Sequence, residues 1–419
     1  MTEVNTAGRD WIERGTATPA RVDTTVEVIR DTAQWDALAP LWDPVLRRTQ
    51  GYTGMQSYDF LRTWWHEMGD PHQLFILAFR RAGSLLGLAP LQIARRSLLG
   101  KPYRTLEFIG MPEEILLPGF LFPTEHAPAL RASLLECLAA HTREWDHIKL
   151  EEIAANDPVL ESLSALSRRC RLIHRVAPLH PCPYLDISDG TDAGVQRFWA
   201  GRSRKLVKNV RAAERKLRRS GEVAVQTYRT PEELDAGMGV FMAVEQRGWK
   251  RKQGLGMAAD DRYEAFYRRL LQTFANHHGA RIMTLSVAGQ PISATAGILY
   301  DRVYCSLQIA HDDSFGRFSP GTLLEYYEMD ALLRDGGVDR YEFLGGAPNN
   351  KFRWTSHKLD SVYVHARKTD VRTLAHDAYK YRARPLAKDL LSRGGLSIPQ
   401  VRKTYRRIEQ RIEKLLGVG

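Results

Sequence analysis

The five residues Phe318, Ser319, Pro320, Gly321 and Thr322 have the composition of a helix start that can bind phosphate. Ser319 is typical of the residue that caps a helix, Pro320 suits the first turn, and Gly321 leaves room for a ligand. The first-turn amides have no partner inside the helix, and the helix dipole favours an anion there. We therefore expect a pyrophosphate site, with a well-capped helix that binds no ligand as the alternative.

The surrounding residues predict the elements that would position this site. A strand is expected over Arg302–Ile309, and a helix over Thr322–Arg334 that stops at Gly336-Gly337. A second strand is expected to end near Leu344. A strand, a glycine-containing turn, a helix and a closing strand can hold a pyrophosphate beside a reactive group.

The same order of elements occurs earlier in the chain. The hairpin Leu74–Ile93 matches the hairpin Arg281–Tyr300, while the helix and strand at 127–141 and 147–153 match those at 322–334 and 339–344. In the first copy Met111-Pro112-Glu113-Glu114 replaces the phosphate-binding residues. The sequence thus predicts an α/β (mixed α+β) fold with two tandem units, each a mostly antiparallel mixed sheet flanked by helices. The expected divisions are a tail (1–24), a degenerate unit (25–180), a unit that carries the chemistry (184–365) and a basic helical extension (366–419), with a linker at 178–183.

The composition of the chain indicates a protein without membrane-spanning helices or disulfide bonds. The chain has 419 residues, 43% of them hydrophobic, and no run of 18 apolar residues, so no membrane-spanning helix is expected. Its first residues show no apolar leader, and its four cysteines show no disulfide framework. We expect a cytoplasmic protein with reduced thiols.

Positive charge is concentrated in two segments. Ten Lys/Arg and one acidic residue lie in 197–219, and fourteen Lys/Arg and five acidic residues lie in 367–419, whereas the whole chain carries +11. These segments predict contact with anionic groups, such as a phosphorylated ligand or an anionic membrane reached through the C-terminal helices. Aromatic residues are sparse among the cations, so sequence-specific nucleic-acid binding is not expected.

Three stretches taken together resemble a known family. Residues Phe315–Leu324, the strand end Glu342-Phe343-Leu344-Gly345-Gly346 and the run Lys351-Phe352-Arg353-Trp354 resemble the CelD/BcsL-like branch of the GNAT acyltransferases, most clearly over 195–355. The two units are similar in arrangement to the FemXAB peptidyltransferases. The resemblance implies transfer of an acyl group, expected to be acetyl from acetyl-CoA or another acyl-CoA, to an amine such as an amino sugar in cellulose, exopolysaccharide or cell-envelope metabolism.

The resemblance also implies roles for particular residues. The pantetheine arm would lie along Ser306, Leu307, Gln308 and Ile309, and the pyrophosphate at Phe318, Ser319, Pro320, Gly321 and Thr322. The catalytic candidates are Glu342 as base, His311, Lys351 and Tyr326, although relatives carry Tyr-Lys where this chain has Asn350-Lys351. The candidates for binding the acceptor are Glu245, Arg247, Trp249, Arg204, Lys205 and Trp354. Each has a structural alternative, namely packing, a salt bridge or a solvated surface.

Other functions remain open at the level of sequence. One is a Fem-type transferase that uses aminoacyl-tRNA, and another is a non-catalytic scaffold at the membrane. We expect no metal, because His174, His180 and Cys182 lie in a proline-rich stretch without ligand pairs at zinc spacing. The acceptor, the acyl length, the oligomeric state and the identities of the acid and base depend on pocket shape.

Overall fold

A computed structural model describes residues 24–98, 101–110, 118–187, 190–252, 256–257, 260–344 and 348–369. The helices are α1 (Thr32–Asp36), α2 (Ala39–Arg47), α3 (Tyr58–Met68), α4 (Ala127–Ala140), α5 (Val159–Arg169), α6 (Asp192–Ala200), α7 (Arg204–Arg218), α8 (Pro231–Glu245), α9 (Trp249–Lys252), α10 (Asp261–His277), α11 (Pro320–Asp335) and α12 (Pro348–Lys351). The strands are β1 (Thr25–Ile29), β2 (Gln73–Leu74), β3 (Ile76–Arg81), β4 (Ser84–Ala89), β5 (Leu91–Leu98), β6 (Lys101–Phe108), β7 (His147–Ala154), β8 (Leu172–Asp186), β9 (Val223–Tyr228), β10 (Gly279–Val287), β11 (Gln290–Tyr300), β12 (Val303–His311), β13 (Arg340–Glu342) and β14 (Lys358–Lys368).

One long sheet runs through the described part of the chain. Its eleven strands have the order β2-β5-β6-β7-β14-β8-β13-β12-β11-β10-β9, and β1, β3 and β4 form a separate three-stranded sheet. Most neighbours are antiparallel, but β6 pairs with β7 and β12 pairs with β13 in parallel. The helices that connect these two parallel pairs are α4 and α11. The predicted mixed α/β fold with two similar units is therefore confirmed.

Strands β8 and β14 join the two units. β8 pairs with β14 along one edge and with β13 along the other, and β14 also pairs with β7. The predicted linker at 178–183 is thus part of β8, where Pro178 and Pro181 lie opposite Val362 and Asp360. The extension predicted from residue 366 starts inside β14, and residues 370–419 lie outside the described part of the chain, as do the tail 1–23 and Met111–Glu114.

Two pairs of helices are each separated by a short break. Residues 32–47 form α1 and α2 rather than one continuous helix. Pro40, in the first turn of α2, has no amide hydrogen with which to continue a helix from α1. Helices α6 and α7 are separated in the same way around Gly201.

Aromatic residues link the units across a shared core. Trp35 and Trp42 are fully buried. They belong to one core with Phe241 of α8 and Phe266 of α10, and the ring of Phe60 in α3 lies 5.7 Å from that of Phe266. The first unit is therefore packed directly against the helices of the second. No helix in the described residues is long and apolar enough to cross a membrane.

Candidate active site

The candidate site begins where β12 and β13 separate. The two strands pair at three positions, the last of which sets Cys305 opposite Glu342. β13 ends there, whereas β12 continues to His311 and stays paired with β11. Beyond Cys305 the other edge of β12 has no strand partner among the described residues. Its backbone groups can bind an extended ligand along the four predicted residues Ser306, Leu307, Gln308 and Ile309.

A β-bulge lies in this part of β12. Ser306 is opposite Gly297 and Gln308 is opposite Ala296, so Leu307 is an extra residue without a partner in the ladder with β11. Bulges re-aim side chains and occur often beside active sites. Sequence spacing did not predict this bulge.

The helix start differs in detail from the prediction. Ser319 is in the left-handed conformation, with φ 50° and ψ 52°, and its side chain makes no capping hydrogen bond. Its carbonyl accepts the amide of Leu323 at 3.1 Å, which leaves the amides of Gly321 and Thr322 outside the helical pattern. A methyl group on Gly321 would lie 3.3 Å from Cδ1 of Ile309, so the helix start sits against the free part of β12.

Cations surround this helix start. Thr322 and Ser319 line a groove of about 520 Å³ together with Lys205, Asn209 and Arg353. The guanidinium of Arg353 donates to the hydroxyl of Thr322 at 3.1 Å. Positive charge at the positive end of a helix dipole is unfavourable by itself. This arrangement is therefore suited to a bound anion, as a pyrophosphate would supply. Phe318 is buried under the helix start.

A buried carboxylate fixes α11 to the sheet. Glu328 is fully buried, and its Oε1 accepts hydrogen bonds from the hydroxyls of Thr295 at 2.7 Å and Tyr304 at 2.9 Å. Its Oε2 accepts one from the hydroxyl of Tyr341 at 2.7 Å. The three hydroxyls belong to β11, β12 and β13, so Glu328 holds the helix against the strands that separate. No motif in the sequence marked this residue.

Glu342 lies at the point of separation. Its side chain is 2% exposed, and its Oε1 lies 2.6 Å from Nε of Arg340. Burial is the main influence and raises the pKa of the carboxyl to about 7, although Arg340 opposes the shift. A carboxylate with a pKa near neutrality can accept a proton from an acceptor amine.

Lys351 and Glu325 form a second group of perturbed residues. Nζ of Lys351 donates to the carbonyls of Phe343 and Leu344, just past β13, at 2.5 and 2.9 Å. Burial lowers the pKa of Lys351 to about 8, partly offset by Glu325. Desolvation raises the pKa of Glu325 to about 7, and its Oε2 accepts the indole N–H of Trp354 at 3.1 Å. Sequence reasoning missed Glu325, which is 26 residues from Lys351.

His311 ends β12 beside the helix start. Its Nδ1 would lie 3.7 Å from a methyl group on Gly321, and its Nε2 lies 3.9 Å from the carboxylate of Asp313. Burial is the main cause that lowers the pKa of His311, while Asp313 opposes it. The imidazole is therefore neutral near pH 7 and can accept a proton.

A polar cluster lies on the face of the sheet that α8 and α10 cover. The amide of Gln308 donates to the hydroxyl of Tyr267, and its carbonyl accepts Nζ of Lys250, both at 2.8 Å. Nζ of Lys250 also lies 3.9 Å from the buried carboxylate of Glu245. A side chain on Gly256, which has φ +92°, would approach within 2.5 Å of Glu245. The predicted acceptor residue Glu245 is thus brought to the bulged strand.

Arg247 and Trp249 follow Glu245 but differ in exposure. The guanidinium of Arg247 donates to Asp312 at 2.7 Å, to the carbonyl of Ala243 at 2.9 Å and to that of Pro291 at 2.7 Å. These bonds fasten the end of α8 to the end of β12, which indicates a positioning function. Trp249 is 43% exposed and is available for a ligand.

Three other predicted residues lie elsewhere. The side chain of Trp354 is 2% exposed in the core, which leaves its ring no surface for an acceptor. The ring of Tyr326 lies 4.3 Å from that of Trp199, and Tyr326 and Arg204 line a separate groove between α6, α7 and α11. The structure therefore does not bring Tyr326 and Arg204 together with Glu342 and Lys351. Lys205 lines the groove at the helix start instead.

The segment that precedes α3 in the first unit contacts strands β11 and β12 of the candidate site. A methyl group on Gly54 would lie 2.7 Å from Cβ of Tyr300, so only glycine permits this approach. The Thr53 hydroxyl and the Gly54 backbone contact the thiol of Cys305, the partner of Glu342 in the parallel ladder. This segment therefore packs against the strands that carry the candidate site.

Comparison with known proteins agrees with this geometry. Residues 204–353 match a family model described as an acetyltransferase (GNAT) domain, Acetyltransf_6. The crystal structure of FemX is similar, with 12% identity and a TM-score of 0.55, over 78% of this chain and 95% of that one. A conserved protein of unknown function from Bacteroides thetaiotaomicron VPI-5482 has 11% identity and a TM-score of 0.50, over 82% of this chain and 100% of that one.

A tandem GNAT protein from the clavulanic acid biosynthesis pathway has 14% identity and a TM-score of 0.47, over 83% of this chain and 100% of that one. No curated protein matches the sequence significantly. The likeness to FemX extends well beyond the residues that the family model covers. Residues 204–353 thus match a GNAT domain model, and the fold of the described chain is similar to that of FemX.

Proposed function

We propose that the protein is an acyl-CoA-dependent N-acyltransferase. The observation that carries the proposal is the free edge of β12, which leads from the bulge at Leu307 to the amides of Gly321 and Thr322. An extended pantetheine arm needs backbone partners of this kind, and a pyrophosphate needs the helix start with Lys205 and Arg353 beside it. The GNAT domain match supports the same ligand.

The transfer proceeds by direct attack. The acceptor nitrogen attacks the thioester carbonyl carbon, a C–N bond forms, the C–S bond breaks, and the thiolate takes up a proton. Glu342 accepts the proton of the amine, directly or through water, because its pKa of about 7 is suited to that task. Lys351, with a pKa of about 8, supplies the proton of the thiolate, and His311 is the alternative base.

The acceptor is an amine that carries several hydroxyl groups, such as an amino sugar of exopolysaccharide or cell-envelope metabolism. Support comes from Gln308, Lys250, Glu245 and Tyr267, which offer both donors and acceptors of hydrogen bonds beside the bulged strand. The sequence resemblance to the CelD/BcsL-like branch favours the same class. A screen of amino sugars with release of free CoA as the readout tests this part.

Calorimetric titration with acetyl-CoA tests the donor. The wild type should bind it, and Gly321→Glu should weaken binding at least about tenfold, since the new carboxylate repels a pyrophosphate at the helix start. Gly239→Glu is the matched control, because Gly239 is an exposed helical glycine with open space around it. Absence of wild-type binding to acetyl-CoA and to longer acyl-CoAs would overturn the proposal.

A groove lined by cations supports a second candidate function, a Fem-type transferase that uses aminoacyl-tRNA. This groove, of about 790 Å³, is lined by six cations and one carboxylate, namely Arg202, Arg204, Lys208, Arg211, Arg215, Arg334 and Asp330. Such a surface suits a phosphodiester backbone. Salt-dependent binding of charged tRNA, weakened by Arg204→Ala with Arg211→Ala while acetyl-CoA does not bind, would favour this candidate.

A further inference from the structure

Three residues with metal-binding side chains converge outside the site described above. Glu152 belongs to β7, while His180 and Cys182 belong to β8, on the other side of β14. One ligand atom from each residue lies within 4.8 Å of the other two. The sequence showed His180 and Cys182 two residues apart, but it gave no sign that Glu152 would join them.

Burial of these three side chains is energetically unfavourable unless a further group binds them. Cys182 is fully buried, Glu152 is 8% exposed, and the His180 side chain is 25% exposed. Nε2 of His180 lies 3.1 Å from Oε1 of Glu152, but the buried Oε2 of Glu152 accepts no hydrogen bond among the described residues. A carboxylate oxygen without a partner in a buried place is unfavourable unless a cation or a donor reaches it.

The backbone of Glu152 is unusual. Its φ is +62°, in the left-handed region that side chains with a Cβ rarely adopt. The ladder between β7 and β14 is irregular at this point, between Val362 and Val364. The strand is therefore distorted at the residue whose carboxylate reaches His180. Such distortion is retained where neighbouring structure or function favours it.

We propose that Glu152, His180 and Cys182 bind one Zn²⁺ ion. A carboxylate, an imidazole and a thiolate are all zinc ligands, and the thiolate disfavours Mg²⁺ and Ca²⁺. Glutamate and thiolate together carry two negative charges, so the bound ion makes the buried group neutral. Zinc bonds of about 2.0–2.3 Å set tetrahedral ligand atoms roughly 3.3–3.8 Å apart, so side-chain shifts of about 1 Å complete the site.

Three protein ligands leave a fourth position for water or another ligand. The ion would link β7 of the first unit to β8, which pairs with β13. Cys182 is two residues before Tyr184, which pairs with Glu342 in the ladder between β8 and β13. The proposed zinc site therefore borders the candidate active site and ties the two units together there.

The test uses the full chain, stripped with chelator and then titrated with Zn²⁺ or Co²⁺. We expect one ion per chain by elemental analysis, a higher melting temperature with Zn²⁺, and a thiolate-to-cobalt charge-transfer band with Co²⁺. Cys182→Ser should abolish that band and reduce zinc affinity at least about tenfold, because it removes the thiolate ligand. His180→Gln should weaken binding similarly.

His174→Ala is the matched control, since His174 lies in the same strand but outside the group of three. It should keep the stoichiometry, the cobalt band and the stabilisation by zinc. Circular dichroism of each stripped variant reports whether it is folded. A wild type that binds no zinc, or a folded Cys182→Ser variant that retains both the ion and the cobalt band, would overturn the proposal.

Discussion

At the scale of single residues, desolvation sets the pKa values of the ionisable groups in the candidate site. Glu342 and Glu325 both have a pKa raised to about 7, and Lys351 has one lowered to about 8, each mainly because burial disfavours the charged form. Groups shifted towards neutrality can exchange protons near physiological pH. Residue type alone does not distinguish them from the many exposed acids and bases of this chain.

The raised pKa of Glu342 predicts the pH dependence of the rate. The base is active when deprotonated, so kcat/KM should rise as pH passes through about 7, and it should fall above about 8 as Lys351 loses its proton. Glu342→Gln should lower kcat at least about a hundredfold and remove the acidic limb of the profile.

Glu222→Gln, at an exposed position, serves as the control and should leave the profile unchanged. An acidic limb that persists in Glu342→Gln would assign the base elsewhere, with His311 the next residue to replace.

At the scale of elements, the position of helix α11 relative to the sheet determines the site. Its start faces Ile309 and His311, and its middle is held by the hydroxyls that bond Glu328. Helix α7 forms the other wall of the groove and buries the apolar residues Leu206, Val210 and Leu217 while its cations stay exposed. Ligand binding therefore depends on buried contacts far from the ligand.

Replacement of Glu328 tests this dependence. Glu328→Leu should lower the free energy of unfolding by about 3 kcal/mol, because it leaves three buried hydroxyls without their acceptor. It should also weaken acetyl-CoA binding by shifting the helix start. Denaturant unfolding and calorimetry measure the two effects.

Arg334→Ala is the control on the same helix. Its exposed ion pair with Asp330 should contribute less than about 1 kcal/mol. Equal losses of stability in the two variants would contradict the role assigned to Glu328.

At the scale of the whole molecule, one sheet continues through both units. β14, which follows residues 204–353 in sequence, lies between β7 and β8. Its end is buried, since Ala366 is 1% and Arg367 is 5% exposed, and Nε of Arg367 donates to Nε2 of His147 at 3.3 Å. A deletion of the basic C-terminal segment that leaves the sheet intact must therefore begin after β14.

Two truncations distinguish the contribution of the C-terminal residues to stability from their contribution to membrane binding. Deletion of 366–419 should lower the melting temperature at least about 2 °C more than deletion of 370–419 does, because it also removes buried residues of β14. The full chain should bind anionic vesicles in a salt-sensitive manner, and both deletions should lose that binding. Vesicle binding that survives deletion of 370–419 would place the contact elsewhere.

The sequence by itself indicated the elements around the candidate site, the repeated unit and a helix start close to Gly321. These depend on local signals, namely hydrophobic periodicity, turn residues and a proline-glycine pair, which act over a few residues. The resemblance to the acyltransferase family also marked Glu342, at the end of a strand, and Lys351, after a glycine pair.

Only the tertiary structure decided which of the marked residues meet. Glu325 lies near enough to Lys351 to influence its pKa, Arg247 bonds Asp312, and Glu152 lies near Cys182, because strands and helices distant in sequence pack together. The left-handed Ser319 and the bulge at Leu307 likewise arise from packing of helix α11 on a strand. Burial and pKa follow from these long-range contacts, which no local spacing of residues specifies.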